Sequence, residues 1–248
     1  MIQKNTQHQA TPYLKLPFSF DVGRLQQELD SIAARQWVGH FNTQAYEKNW
    51  SCIPLRSLGA SLTNVIPVEG GDFQDTEILA GCPYFREVIS HFECEKTSIR
   101  LMALEPGGVI KPHRDDGASL EDGMTRLHIP VQTSPQVEFC IDGERVHFSA
   151  GDTWYLNASC LHGVENRSSV NRVHLMLDCI SNAWLENIFV SAGWQARPAP
   201  RYPDASIHDG NVLEVIAALR LSGHQAGQAM AARLQAIHDG LNGLQPGP

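Results

Sequence analysis

A succession of short β-like segments between residues 97 and 180 constrains the fold of this chain more than any other feature of the sequence. Clusters of Gly, Asn, Asp or Ser separate most of these segments, which is the pattern of strands joined by tight turns. About eight short strands at this spacing predict an antiparallel sandwich or barrel of the jelly-roll kind. Strands do not alternate with helices in this region, so a doubly wound parallel sheet is not expected.

Helical patterns flank this β-rich region on both sides. A strand is predicted at 13–18, and a helix with one apolar stripe begins after Asp21. A second helix is predicted at 77–92, with its regular part starting at Pro83. After Ser181 another helix, a Pro-rich link and two further helices follow. The predicted fold class is therefore mainly β, a double-stranded β-helix (a jelly-roll, cupin-like barrel) with flanking N- and C-terminal helices.

These patterns predict three parts in the chain. Residues 1–11 are expected to be a disordered N-terminus, and 12–195 a jelly-roll domain that includes the N-terminal helices. Residues 196–248 are expected to form the Pro-rich link and a C-terminal helical extension. The last two helices are expected to pack either on the barrel or at a homodimer contact, and the sequence leaves both possibilities open.

The composition excludes several classes of function. The 248 residues carry a formal net charge of −8 and the pI is about 5.7. A nucleic-acid partner or an anionic membrane surface is not expected, because both attract positive charge. The N-terminus lacks an apolar signal region, and no stretch is long enough to span a bilayer. The six cysteines form no C-x-x-C pair and are expected to be reduced thiols, which favours a cytoplasmic protein.

Three residues are candidate metal ligands. His113 and Asp115 end the predicted strand VIKPHRD, and residues i and i+2 of a strand share a face. His162 lies on a later strand that is expected to return antiparallel beside the first. Two imidazoles and one carboxylate form a facial triad whose open positions suit iron(II) with a bidentate cosubstrate and O₂ better than zinc. H-x-D is common by chance in a chain with 11 histidines, so the assignment depends on the motifs that follow.

Two arginines on apolar strands predict an anion site. Arg172 and His174 share one face of the strand that follows His162, and Arg126 and His128 repeat the pattern on an earlier strand. Polar residues inside a barrel are unfavourable unless a partner pairs with them. A bound dicarboxylate supplies such a partner, because a guanidinium fork fits a carboxylate.

An ion pair within the protein is the alternative for either arginine. Arg172 then pairs with Asp178 or Glu165, and Arg126 pairs with Asp122. The sequence alone does not decide between an internal partner and a ligand.

Five motifs occur along the chain in a fixed order: R-x-x-x-L-x-P-G-G-x-I-x-x-H-R-D (100–115), R-L-H-I-P (126–130), G-D-T-W-Y-L-N (151–157), L-H-x-x-x-N (161–166) and R-V-H-L-x-L-D (172–178). This series resembles the aspartyl/asparaginyl β-hydroxylase family, jelly-roll iron(II)- and 2-oxoglutarate-dependent oxygenases that include bacterial hydroxylases of free proline. The resemblance covers roughly residues 50 to 185, and the ordered series is more specific than any one motif.

The resemblance implies the role of each motif residue. His113, Asp115 and His162 are expected to bind iron, and Arg172 to hold the distal carboxylate of 2-oxoglutarate. Arg126 and His128 are expected to help position this cosubstrate, with O₂ as the second cosubstrate. Some members of the family lack the carboxylate ligand, so Asp115 makes the chain similar to the bacterial enzymes that act on small molecules.

The resemblance implies an oxygenase that hydroxylates an unactivated carbon of a free amino acid or a small peptide-like substrate. Two alternatives stay open: a hydroxylase of aspartyl or asparaginyl side chains in proteins, and a non-catalytic cupin-like protein that binds a metal or a ligand. Trp50, Arg56 and the loop 116–124 are candidates for substrate selectivity. For Arg56, a solvated arginine is an equally acceptable explanation.

Overall fold

The computed structural model describes residues 11–32, 36–64, 70–115, 117–196, 201–204 and 206–242. Residues 1–10 of the N-terminus predicted to be disordered at 1–11, and part of the Pro-rich link, therefore lie outside the described residues, whereas Thr11 is described and hydrogen-bonds to Gln195. The chain divides into two compact units, residues 1–197 and 198–248.

The described part of the first unit contains thirteen strands and four α-helices. The strands are β1 (Tyr13–Ser19), β2 (Val38–Gly39), β3 (Tyr46–Glu47), β4 (Trp50–Leu58), β5 (Phe73–Asp75), β6 (Lys96–Leu104), β7 (Val109–His113), β8 (Met124–Gln132), β9 (Val137–Ile141), β10 (Glu144–Val146), β11 (Asp152–Leu156), β12 (His162–Asn166) and β13 (Arg172–Ile180). The helices are α1 (Val22–Ser31), α2 (Glu77–Ala80), α3 (Pro83–Ser90) and α4 (Ala183–Ser191).

The strands form two antiparallel sheets. The larger sheet has eight strands in the order β1-β11-β8-β13-β6-β4-β2, with β5 paired to β4. The smaller sheet has five strands in the order β10-β9-β12-β7-β3. Neighbours in these orders are often distant in sequence, as in a jelly roll. The predicted mainly β, double-stranded β-helix class is confirmed.

Successive residues of β6, β8 and β13, the three central strands of the larger sheet, face two different environments. Their apolar residues, such as Leu101, Leu127 and Leu175, are buried in a core that also takes in residues of α1, α3 and α4. Their polar residues lie on the other face, because successive strand side chains point in opposite directions. That second face, together with the smaller sheet, lines a cavity. One strand surface thus stabilises the fold and the other provides functional side chains.

Local signals explain where the helices begin. The side chain of Asp21 caps α1 by accepting a hydrogen bond from the backbone N–H of Arg24 at 3.0 Å. The helix predicted at 77–92 is two helices, since the chain leaves helical geometry at Cys82 and starts again at Pro83. Proline is favoured at this first position because its missing N–H has no partner there in any case.

The segment 38–75 contains four strands that the sequence pattern did not predict. The main one is β4, a nine-residue strand of the larger sheet whose register shifts between Pro54 and Arg56. Apolar residues occur on both of its faces, Ile53 and Leu55 on one and Trp50 and Cys52 on the other, and the proline further hides the strand pattern. The period-2 signal that identified the other strands is therefore missing here.

The second unit contains two α-helices in its described residues, α5 (Val212–Leu221) and α6 (Gln225–Asn242). Its core is small and consists of Tyr202, Val212, Ile216, Ala231 and Leu234. The C-terminal helices were predicted, whereas their packing on the barrel or at a homodimer contact stays a prediction. Among the described residues, none of the helices combines the length and the apolar character required to cross a bilayer.

Candidate metal centre and anion pocket

The end of β7 and the start of β12 bring two histidines together. His113 and His162 are direct partners in the antiparallel pairing of these strands, and their ring centroids are 4.3 Å apart. The register of the pair shifts immediately after this position. Gly163 allows the close approach, since a Cβ there would lie 3.0 Å from the carbonyl oxygen of Ile110 and 3.3 Å from the nitrogen of Pro112.

Backbone carbonyls determine which nitrogen of each ring is available. Nδ1–H of His113 donates to the oxygen of Lys111 at 2.8 Å, and Nδ1–H of His162 donates to the oxygen of Cys160 at 2.9 Å. Because a carbonyl only accepts, both Nε2 atoms are left as lone-pair donors when the rings are neutral. Burial lowers the pKa of His162, which favours the neutral ring. Both imidazoles are therefore prepared for a metal ion.

Asp115 completes the group from the segment after β7. Its backbone N–H donates to the oxygen of Ala158 at 2.8 Å, and its Oδ1 lies 3.6 Å from Nε2 of His113. Burial alone would raise the pKa of this carboxyl, but Arg126, His162 and the neighbouring His113 lower it overall. The ligand atoms of the three residues lie within 4.8 Å of one another. This donor set fits one divalent ion, and no other His, Cys, Asp or Glu of the described ranges joins it.

A buried ion network holds this carboxylate. Asp178 accepts hydrogen bonds from Nε of Arg126 at 2.8 Å, from Arg100 at 2.7 Å and from the hydroxyl of Ser98 at 2.8 Å. Arg126 also donates to Oδ2 of Asp115. Burial would raise the pKa of Asp178, but Arg126 and Arg100 lower it well below its usual value. The carboxylate of Asp178 is therefore charged and orients Arg126 toward Asp115.

Arg126 thus forms ion pairs within the protein, which is the alternative to binding a ligand. Its partners are Asp178 and Asp115, however, and not Asp122 as the sequence suggested. Asp122 instead accepts from the hydroxyls of Ser119 and Ser159 at 2.6 and 3.1 Å. That turn also places Ala118, Ser119 and Leu120 among the buried residues. The suggested role of Arg126 in holding the cosubstrate stays a prediction.

Arg172 differs from Arg126 because no acidic side chain of the described residues pairs with it. The two suggested partners are engaged elsewhere, Asp178 with Arg126 and Glu165 with Arg167. Arg172 is only 3% exposed, its Nε has no hydrogen-bond partner, and its guanidinium lies 5.1 Å from the ring centre of Phe139. Burial lowers its pKa to about 9. An unpaired buried guanidinium is unfavourable, so the structure fits a pocket for an anion.

The cavity has a volume of about 360 Å³, in the range of small-molecule sites. It is lined by the three candidate metal ligands, by Arg100, Arg126, His128 and Arg172, and by apolar residues of both sheets that include Met102, Ile110, Phe139 and Met176. The candidate metal ligands and Arg172 therefore share one cavity.

The two residues suggested for substrate selectivity lie in different places. Trp50 lines the cavity, whereas Arg56 is not among its lining residues. Nε of Arg56 donates to the oxygen of Lys96 at 2.9 Å, and its Nη1 lies 2.6 Å from the carboxylate of Asp75. These contacts account for Arg56 without a substrate.

Sequence reasoning gave no role to His40 or Arg100, two polar residues that line the cavity. His40 stacks on Trp50 with ring centroids 3.6 Å apart, and burial and the charge of Arg100 lower its pKa to about 4. No spacing pattern identifies His40. Arg100 was visible in principle, because it alternates with Ile99 and Leu101, two core residues of β6.

The comparison with protein families gives a direct match. The model of the family described as Aspartyl/Asparaginyl beta-hydroxylase matches residues 20–182, more than half of the chain. The chain therefore belongs to the aspartyl/asparaginyl β-hydroxylase family. The matched region contains the three candidate metal ligands, the buried ion network and Arg172.

Two curated relatives are similar over this region. The chain is 24% identical over 170 residues to L-proline cis-4-hydroxylase of Rhizobium meliloti, which covers 68% of this chain and 60% of that protein. It is 26% identical over 164 residues to L-proline cis-3-hydroxylase 1 of a Streptomyces species, covering 64% and 56%. The chain thus spans less than two thirds of the length of either relative.

Solved structures are similar at a lower level. The non-heme alpha-ketoglutarate-dependent epimerase SnoN from nogalamycin biosynthesis aligns with a TM-score of 0.47 and 11% identity, covering 76% of this chain and 91% of that one. A member of the 2OG-Fe(II) oxygenase family from Burkholderia pseudomallei aligns with a TM-score of 0.45 and 14% identity, covering 69% and 88%. Similarity at this level supports no conclusion about function.

Proposed function

We propose that this chain is an iron(II)- and 2-oxoglutarate-dependent oxygenase that hydroxylates a carbon of a free amino acid or a small peptide-like molecule. One observation carries the proposal: the buried guanidinium of Arg172 has no acidic partner among the described residues and lines the same cavity as the three metal-binding side chains. A dicarboxylate that also reaches the metal supplies the missing partner.

The proposed roles follow from the contacts. His113, Asp115 and His162 hold the iron, and Arg172 holds the distal carboxylate of 2-oxoglutarate with help from His128. When bound, iron(II) with 2-oxoglutarate and O₂ supplies the oxidising chemistry for an unactivated C–H bond, with succinate and CO₂ as co-products. The protein binds, orients and excludes water, and no side-chain general base is needed. The contact of Arg126 with Asp115 favours a role at the metal ligand over direct contact with the cosubstrate.

The substrate class is supported by two observations. Both curated relatives are named as hydroxylases of L-proline, a free amino acid. The cavity volume of about 360 Å³ suits a small molecule together with 2-oxoglutarate. The stacked rings of His40 and Trp50 give one wall of this space an apolar, flat surface.

A turnover assay tests the proposal. Purified protein is incubated with iron(II), 2-oxoglutarate, ascorbate and each of the twenty amino acids, and succinate and the mass of the amino acid are measured. We expect one or a few amino acids to stimulate succinate formation and to gain one oxygen atom. The His162→Ala variant, which lacks one metal-binding side chain, is the matched control.

The other outcomes are equally informative. Stimulation by an Asp- or Asn-containing peptide, with no response to free amino acids, would favour a protein hydroxylase. A flat response to both, combined with metal binding, would contradict catalysis and favour a non-catalytic binding protein.

A further inference from the structure

Two histidines that contact each other lie beside Arg172, and neither is among the candidate metal ligands. His128 of β8 and His174 of β13 lie on the same face of the larger sheet, because Met176 is the direct partner of His128 and His174 is two residues from Met176. Their Nδ1 atoms are 3.3 Å apart. Both rings are buried, His128 to 5% exposure and His174 to 0%.

The contact between the two Nδ1 atoms requires one proton between them. Burial, and then the charge of Arg172, lowers the pKa of both rings well below the usual value, so both are neutral at pH 7. A neutral imidazole carries its proton on one nitrogen only. The two rings must therefore be opposite tautomers: one donates from Nδ1, and the other accepts at Nδ1 and carries its proton on Nε2.

The surroundings of the two rings decide which one donates from Nδ1 and which one accepts. Neither Nε2 has a hydrogen-bond partner within the described part of the chain. Both rings pack against Phe139 and Phe148, but only His128 lines the cavity beside Arg172, whereas His174 is fully buried behind it. An N–H of the cavity-lining ring can be satisfied by a carboxylate, but an Nε2–H of the fully buried His174 stays unpaired, which is unfavourable.

We propose that His174 is a positioning residue, whose Nδ1–H donates to Nδ1 of His128 and so holds His128 in the tautomer that presents Nε2–H to a carboxylate in the cavity. The opposite arrangement combines two unfavourable features. It turns a lone pair of His128 toward the bound anion, and it leaves an unpaired N–H on the fully buried ring of His174. The carboxylate is that of 2-oxoglutarate, so this inference rests on the proposed function.

The tautomers are measured directly by NMR. Two-bond ¹H–¹⁵N correlation spectra of metal-free, ¹⁵N-histidine-labelled protein distinguish Nδ1–H from Nε2–H rings, and His128→Phe and His174→Phe assign the two signals. We expect Nε2–H on His128 and Nδ1–H on His174. Finding Nδ1–H on His128 would overturn the proposal.

The consequence for binding is measured by calorimetric titration of zinc-substituted protein with 2-oxoglutarate. His174→Phe keeps an aromatic ring but removes the donor, and we expect about tenfold weaker binding of 2-oxoglutarate with unchanged zinc affinity. His174→Asn retains a donor close to the position of Nδ1 and is expected to recover most of the loss. Thr153→Val serves as the matched control, since Thr153 is buried, has an unpartnered hydroxyl and is not a cavity-lining residue.

The two readouts separate this inference from the proposed function. Wild-type affinity in His174→Phe would overturn the positioning role even if 2-oxoglutarate binds. If the wild-type protein does not bind 2-oxoglutarate, the proposed function fails, and with it the role toward that carboxylate. The NMR spectrum of the metal-free protein would still decide the direction of the hydrogen bond between the two rings.

Discussion

Replacing Arg172 with methionine is expected to make the ligand-free protein more stable, although it removes a residue proposed as essential for binding. The guanidinium is buried and has no acidic partner among the described residues, so wild-type protein bears the desolvation of a charge without compensation. Methionine has a similar length, is flexible and adds apolar surface to the same place.

The magnitude follows from two opposing terms. Burial of a lone charge costs several kcal/mol after relaxation, and the contact between Arg172 and the ring of Phe139 offsets roughly 0.5–2 kcal/mol of it. We therefore expect Arg172→Met to raise the free energy of unfolding by roughly 1–3 kcal/mol. The same substitution at Arg126 is the matched control. Arg126 pairs with Asp178 and Asp115, so Arg126→Met is expected to lower the free energy by about 3–5 kcal/mol.

Urea denaturation of the metal-free proteins at pH 7 measures both changes. A second series with zinc and 2-oxoglutarate tests binding: the cosubstrate stabilises wild type by about 2.7 kcal/mol at 100 times its Kd, and Arg172→Met is expected to gain nothing from it. If Arg172→Met were destabilised as Arg126→Met is, Arg172 would have a structural partner and the argument for an anion pocket would fail.

Four further predictions concern the candidate metal ligands and the residues that support them. In urea denaturation, Asp178→Asn should lower the free energy of unfolding by about 3–5 kcal/mol, because it breaks the buried ion network. Glu87 belongs to an exposed ion pair, so the control Glu87→Gln should change the free energy of unfolding by less than about 1 kcal/mol. Equal effects of the two substitutions would contradict the importance of the buried network. The pKa of Asp178 is depressed in the folded protein, so the ionised carboxylate stabilises the fold above about pH 4, and this stabilisation is lost as the pH falls further. Acid titration of the wild type and of Asp178→Asn measures the loss. His162→Ala should abolish zinc binding in calorimetry and leave the circular dichroism spectrum unchanged; retained binding would remove His162 from the site. Gly163→Ala should weaken zinc binding by about tenfold, because the added methyl group pushes β12 away from β7. Gly39→Ala is the control and should leave zinc affinity unchanged, because a Cβ at Gly39 meets no other atom within 4 Å. Equal zinc affinities of the two variants would show that the close approach of β7 and β12 is unimportant.

The parts of the fold that alternate in sequence were predicted correctly, and the part that does not was missed. In β8 and β13 every second residue is apolar, so the strands and their two faces could be identified from the sequence alone. In β4 both faces carry apolar residues, since Ile53 and Leu55 enter the core while Cys52 and Trp50 pack on the opposite side. A strand with apolar residues on both faces carries no period-2 signal.

The two arginines show a different limit of sequence reasoning. Arg126 and Arg172 each precede an apolar residue and a histidine on an apolar strand, so the sequence treats them alike. The pairing register separates them, because Asp178 is the direct partner of Arg126 across β13 and β8. Register depends on contacts between distant parts of the chain, and no local pattern reveals it.

The division of β6, β8 and β13 into an apolar and a polar face has a consequence for how new selectivity arises. Positions that line the cavity alternate with positions that fill the core, so a substitution at Met102 or Met176 alters the shape available to a small molecule while Leu101 and Leu175 keep the sheet anchored to its helices. Variation at the apolar cavity positions of these strands is therefore a direct way to search for altered substrates without rebuilding the scaffold.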